Sequence, residues 1–125
     1  VIIRDSVSKS DNSHLANLAK SENFAPFYNA PTVIIVTADE KAHAPIHDGT
    51  LALGNMLLAA ESLGLGACWV DSIKAAFVTE ESKKLEEELG IPEGYIPVGS
   101  AVFGYKDMKS INPAPRKENT INIIK

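Results

Sequence analysis

The sequence predicts an α/β or α+β sandwich in which helices cover a mixed sheet. Short runs of β-branched and aromatic residues alternate with segments of helical period along all 125 residues. One of those runs, TVIIVTA at 32–38, is almost wholly apolar. One helical segment, at 45–63, is far longer than the rest. The length suits one domain, and 45% hydrophobic against 22% charged residues is enough for a packed core.

The elements follow in order. Val1-Ile2-Ile3 reads as a strand already under way, and 5–13 as a polar loop of turn formers. Residues 14–21 allow two helical turns capped by Ser13, with Leu15, Leu18 and Ala19 on one face. A proline-punctuated connection at 22–31 carries Phe24, Phe27 and Tyr28, suited to covering a core or lining a pocket. The 32–38 run predicts a strand buried on both faces, in the middle of the sheet.

In the 45–63 helix, Pro45 and Asp48 suit the first turn. Its apolar residues leave almost no polar face, so it needs cover on most sides, from its own core or from a second subunit. Strands are expected at 67–71 and 98–105, and a surface helix at 79–90 with Thr79 as cap and Gly90 as stop. A Pro-x-Gly turn falls at 91–95. Residues 106–117 form an extended arm with four basic residues and one acid, and 119–125 a closing strand able to reach a partner sheet.

Net charge of −4 argues against a general nucleic-acid binder. One cysteine cannot form an internal disulfide, and no apolar run reaches the ~18 residues of a membrane span. A soluble, cytoplasmic protein is the expectation.

Three local patterns imitate chemistry. Gly64 and Gly66 form G-x-G, but they follow a helix and precede a strand. A dinucleotide loop needs the reverse order, so these glycines read as a helix stop. Cys68 sits in an apolar stretch beside Trp69 without a histidine at telling distance, and reads as core rather than nucleophile. His43 and His47 are four apart, but Pro45 pushes Ala44 out of helical geometry. The two then share no helix face, and no metal site is expected. No catalytic side chain emerges. The basic arm around Arg116 and Lys117 could grip a phosphate or be a solvated tail.

Four stretches taken in register are more specific: YNAPTVIIVTADE (28–40), DGTLALGNMLLAAESLGLGACWV (48–70), LGIPEGYIPVGSAVFGY (89–105) and PAPRKENTINII (113–124). Together they resemble the C-terminal part of the nitroreductase family of flavin-dependent oxidoreductases. The resemblance implies an α+β fold working as an intertwined homodimer. The long helix would lie at the interface and the arm at 106–125 would wrap over the partner. It implies two flavin mononucleotides (FMN), reduced by NAD(P)H and reoxidised by a nitroaromatic, quinone or similar small acceptor. The cofactor would then carry the redox chemistry.

By the same resemblance, Arg116 matches an arginine that binds the flavin phosphate. Ala114 replaces a frequent companion lysine, and Lys117 is the available substitute. Val70, Asp71 and Ser72 match a segment whose backbone approaches the flavin ring, and Phe24 to Tyr28 would face the substrate. The family's opening Arg-x-Ser-x-Arg and Asn-bearing stretches are not in this sequence, so 1–125 is expected to be one nitroreductase-like domain without its N-terminal segment. The competing reading is a non-enzymatic dimeric scaffold that binds flavin weakly or not at all.

Overall fold

The computed structural model describes residues 2–9, 13–78, 82–108, 112–118 and 120–124. The order is α1 (Ile2–Ser8), α2 (Ser13–Ala19), β1 (Thr32–Asp39), α3 (Pro45–Ser62), β2 (Leu65–Val70), a 3-10 helix (Ser72–Val78), α4 (Ser82–Leu89) and β3 (Tyr95–Tyr105). The fold is α+β. The three strands pair antiparallel throughout, in the order β1-β3-β2. This corrects the expected mixed sheet: among the described residues each strand pair runs antiparallel.

β3 is therefore the central strand, and β1, expected in the middle, lies at an edge. The β1 run is apolar on both faces, yet its residues are half-buried and Ile34 is 37% exposed. β3 runs eleven residues, and its middle, Val98 to Val102, is buried. It is built from small groups because its neighbours leave no room. A Cβ on Gly99 would lie 2.9 Å from the Trp69 ring and 3.2 Å from Leu53.

The long helix is where the sequence predicts it. Pro45 starts α3, and the Leu63 N–H closes onto the Ala59 and Ala60 carbonyls at its end. Gly64 follows at φ +74° and donates to the Glu61 carbonyl, a helix stop as expected. One side of α3, with Gly49, Leu53 and Ala60 buried, packs on all three strands. The other side leaves Leu51 and Leu58 about two-thirds exposed, at 67% and 71%.

The N-terminal region differs from expectation. Residues 2–8 form a helix, not a strand followed by a loop. Among the described residues Ile2 and Ile3 lie in a helix that packs on other helices, and β-propensity expresses itself only against a neighbouring strand. Helical spacing instead puts Ile3 and Val7 on one face. Val7 is fully buried where α1 packs on α2 and on the 3-10 helix. α2 and α4 form where expected, and Gly90 at φ +67° ends α4. Val1, the Thr79 cap and the side chains of Leu15 and Leu18 lie outside the described residues.

The closing strand expected at 119–125 does not form over 120–124. There Ile121, Ile123 and Ile124 are exposed and no strand pairs with them. No described helix is long and apolar enough to cross a membrane.

Gly49→Val tests the contact that seats α3 on the sheet. Even one Cβ at Gly49 would stand 2.6–2.9 Å from three carbons of Val98. The expected loss is about 2–3 kcal/mol from overpacking, read from urea unfolding; an unchanged midpoint would contradict the contact.

Candidate functional site

The end of β2 is a turn to which three side chains bond. Val70, the strand's last residue, is buried, and the chain leaves it through Asp71 into the 3-10 helix, which Ile73 and Ala76 anchor in the core. Three side chains hold this turn. The Ser100 hydroxyl donates to the Val70 carbonyl at 2.7 Å. The Trp69 indole N–H donates to Asp71 Oδ1 at 3.4 Å. Lys74 Nζ lies 2.9 Å from the same oxygen. The Lys74 backbone N–H also donates to the Asp71 carbonyl at 3.2 Å. Val70, Asp71 and Ser72 thus lie where a strand ends and a helix begins. Asp71 is exposed and Ser72 half-buried.

Arg116 and Lys117 lie elsewhere in kind. They sit on an irregular, wholly exposed stretch at 112–118. Among the described residues no hydrogen bond or ion pair joins them to the corner or to anything else. No hydrogen bond or ion pair among the described residues joins the two halves of the expected site.

Cys68 is a correction. It is exposed, not core, and its thiol donates to the Trp69 carbonyl at 3.4 Å. β2 is an edge strand, so an apolar stretch there need not be enclosed. His43 precedes α3 and His47 lies inside it, as expected, and both are exposed. No group of three or more potential metal ligands occurs among the described residues.

Among the described residues, open grooves lie on two sides of the body. One, of about 770 Å³, runs between α1, the aromatic connection and α4, and is lined by Ile3, Arg4, Phe24, Pro26, Phe27 and Leu85. Arg4 is held over the Phe24 ring, 5.7 Å from its centre, by bonds to the Glu22 and Phe24 carbonyls. The other, of about 880 Å³, lies at the far end of β2 and β3, with Tyr28, Pro31, Cys68, Phe103 and Tyr105 among its walls. There Lys106 bridges both oxygens of Glu61 at 2.7 Å, tying β3's end to α3. The aromatic connection therefore serves both grooves. Its turn at Tyr28 and Asn29, with φ of 54° and 56°, divides them.

The comparisons decide the family. The model of the nitroreductase family matches residues 4–105. The chain belongs to the nitroreductase family. An Archaeoglobus fulgidus protein provisionally named NADH dehydrogenase/NAD(P)H nitroreductase is 36% identical over 97 residues, 73% of this chain and 54% of that protein. A nitroreductase of Bacteroides fragilis solved with bound FMN superposes with a TM-score of 0.87 at 32% identity, covering 98% of this chain and 66% of that one. An FMN-dependent nitroreductase of Clostridium difficile gives a TM-score of 0.76 at 25% identity, covering 98% and 71%. The chain thus spans about half of the curated relative and just under two thirds of the Bacteroides chain. The family match ends at Tyr105, before Arg116 and Lys117.

Sequence reasoning missed Lys74 and Ser100 in this nitroreductase-family chain. A lone hydroxyl inside PVGSAVF was the available signal for Ser100, since a polar residue in a buried run must find a partner.

The Asp71–Lys74 pair is exposed on both sides, so Lys74→Ala is expected to cost less than about 1 kcal/mol. That cost should shrink further in high salt. Thermal unfolding at low and high salt checks it, and a larger, salt-independent loss would show that the pair holds more than itself.

Proposed function

We propose that this chain is part of an FMN-dependent oxidoreductase that uses NAD(P)H to reduce nitroaromatics, quinones or similar small acceptors. The observation that carries the reading is the likeness to the FMN-bound Bacteroides nitroreductase over nearly the whole chain. The chemistry of the residues agrees with it. Arg116 and Lys117 are cations of the kind a phosphate requires, with no partner among the described residues, the arginine with a fork of donors. The corner at Val70, Asp71 and Ser72 offers rigid backbone, a hydroxyl and a carboxylate for a polar ring edge. When bound, FMN supplies the electron-transfer chemistry; the chain's residues bind it, orient it and keep the acceptor beside it. The aromatic connection, with Phe24 and Phe27 lining a groove, is the surface we assign to the acceptor.

The same reading makes the protein a cytoplasmic homodimer. Leu51 and Leu58 leave an apolar strip along the outer side of α3. A second copy is a suitable cover, with the arm at 106–125 reaching over it. A site shared between copies would also suit the lack of any bond between Arg116 and the corner among the described residues.

Purified protein should be yellow and release FMN on denaturation. A colourless protein that takes up no added FMN and oxidises no NAD(P)H would leave the scaffold reading instead. Trp69 is the sole tryptophan and adjoins the corner, so its fluorescence reports binding there. In such a titration Arg116→Ala should weaken FMN binding by about 1.5–3 kcal/mol, and unchanged affinity would refute the phosphate role. Leu58→Glu should yield folded monomer by sedimentation equilibrium where the native protein is a dimer.

A further inference from the structure

Ser100 is the one buried polar side chain among the described residues, with 0% of its surface exposed. Its neighbours along β3 are Val98, Gly99, Ala101 and Val102, all buried. A hydroxyl there costs roughly 1–3 kcal/mol unless it is bonded, and an alanine would avoid the cost. The hydroxyl is bonded to one atom, the carbonyl oxygen of Val70, at 2.7 Å.

That oxygen is well chosen. The β2–β3 register runs from Leu65 opposite Tyr105 to Val70 opposite Ser100, so the bond falls on the last pair, where the ladder stops. The five pairs before it hold the strands together without help from any buried side-chain hydroxyl. What the last pair controls is the exit of the chain. The peptide between Val70 and Asp71 is planar and trans, so its N–H points opposite to its C=O. Drawing the Val70 carbonyl towards β3 turns the Asp71 N–H away from β3, off the free edge of the sheet. The Trp69 indole and Lys74 then hold the Asp71 side chain in place. The corner is fixed from three directions before any ligand arrives, and only the Ser100 contact is shielded from water.

We propose that Ser100 is a positioning residue for the cofactor site: it aims the Asp71 backbone N–H at the acceptor edge of the flavin ring. The inference rests on the flavin reading above. Ser100 touches no ligand itself. Its effect passes through one peptide plane.

The test uses the purified protein reconstituted with FMN, comparing wild type with Ser100→Ala, Ser100→Thr and Val98→Ala. Val98 is buried two residues away and bonds to nothing at the corner, so Val98→Ala controls for lost stability alone. Ser100→Ala should weaken FMN binding about three- to tenfold, the scale of one hydrogen bond. At saturating FMN it should also alter the visible circular dichroism of the bound flavin. Ser100→Thr keeps the hydroxyl and should restore both. Val98→Ala should lower the melting temperature and leave the dichroism unchanged. If wild type binds FMN and Ser100→Ala matches it in affinity and dichroism, the positioning role is overturned and the flavin reading stands. The positioning role is likewise overturned if Val98→Ala shifts the dichroism as much as Ser100→Ala. If wild type takes up no FMN, both readings fall.

Discussion

The contact of α3 with the middle of β3 constrains the rest of the chain. At Gly49 the helix backbone comes so near Val98 that a single added carbon has no place. At Gly99 the strand backbone is met by Leu53 from the helix and by the Trp69 ring from β2. Close packing of this kind leaves little freedom to slide. The Trp69 ring, seated on Gly99, fixes how β2 lies against β3 one pair before the strand ends. Fold and candidate site are joined at one glycine.

What was legible in the sequence divides along the same line. α3, its glycine stop, α4 and the existence of all three main strands follow from local pattern, because period and capping residues act within a few positions. Strand order does not. The β1 run is more apolar than the β3 run, yet β3 is central, since only a strand of small groups fits between two neighbours and a helix. The same non-local choice exposes Cys68, which lies on an edge that local pattern could not reveal. The strand expectations at Ile2-Ile3 and at the isoleucines near the C-terminus failed for a related reason. β-branched residues make a strand only where an edge is offered.

The candidate site was legible in pieces. Val70, Asp71 and Ser72 form a corner that the sequence could place at a strand end but could not stiffen, because its stiffness comes from Ser100, thirty residues away. Arg116 and Lys117 were legible as cations and have no partner among the described residues. Their chemistry is complete and their location is not. On the proposed FMN reading, a phosphate at Arg116 would add a second attraction between the arm and the body to the Lys106–Glu61 pair, so ligand and arm would order one another.

Among the described residues, open surfaces include the outer strip of α3, the edge of β2 beside Cys68, and the isoleucine-bearing stretch at 120–124. Each is costly alone. The strip exposes leucine, the edge exposes backbone donors and acceptors, and the tail exposes β-branched residues with nothing to pair with. Their chemistries are mutual. An edge asks for a strand, and Ile121 and Ile123 alternate as a strand would. A leucine strip on one copy asks for the same strip on another, which a twofold axis supplies. On the proposed dimer reading these are one requirement rather than three. The copy that covers the helix would also carry a second arm, and with it a second Arg116, across the interface.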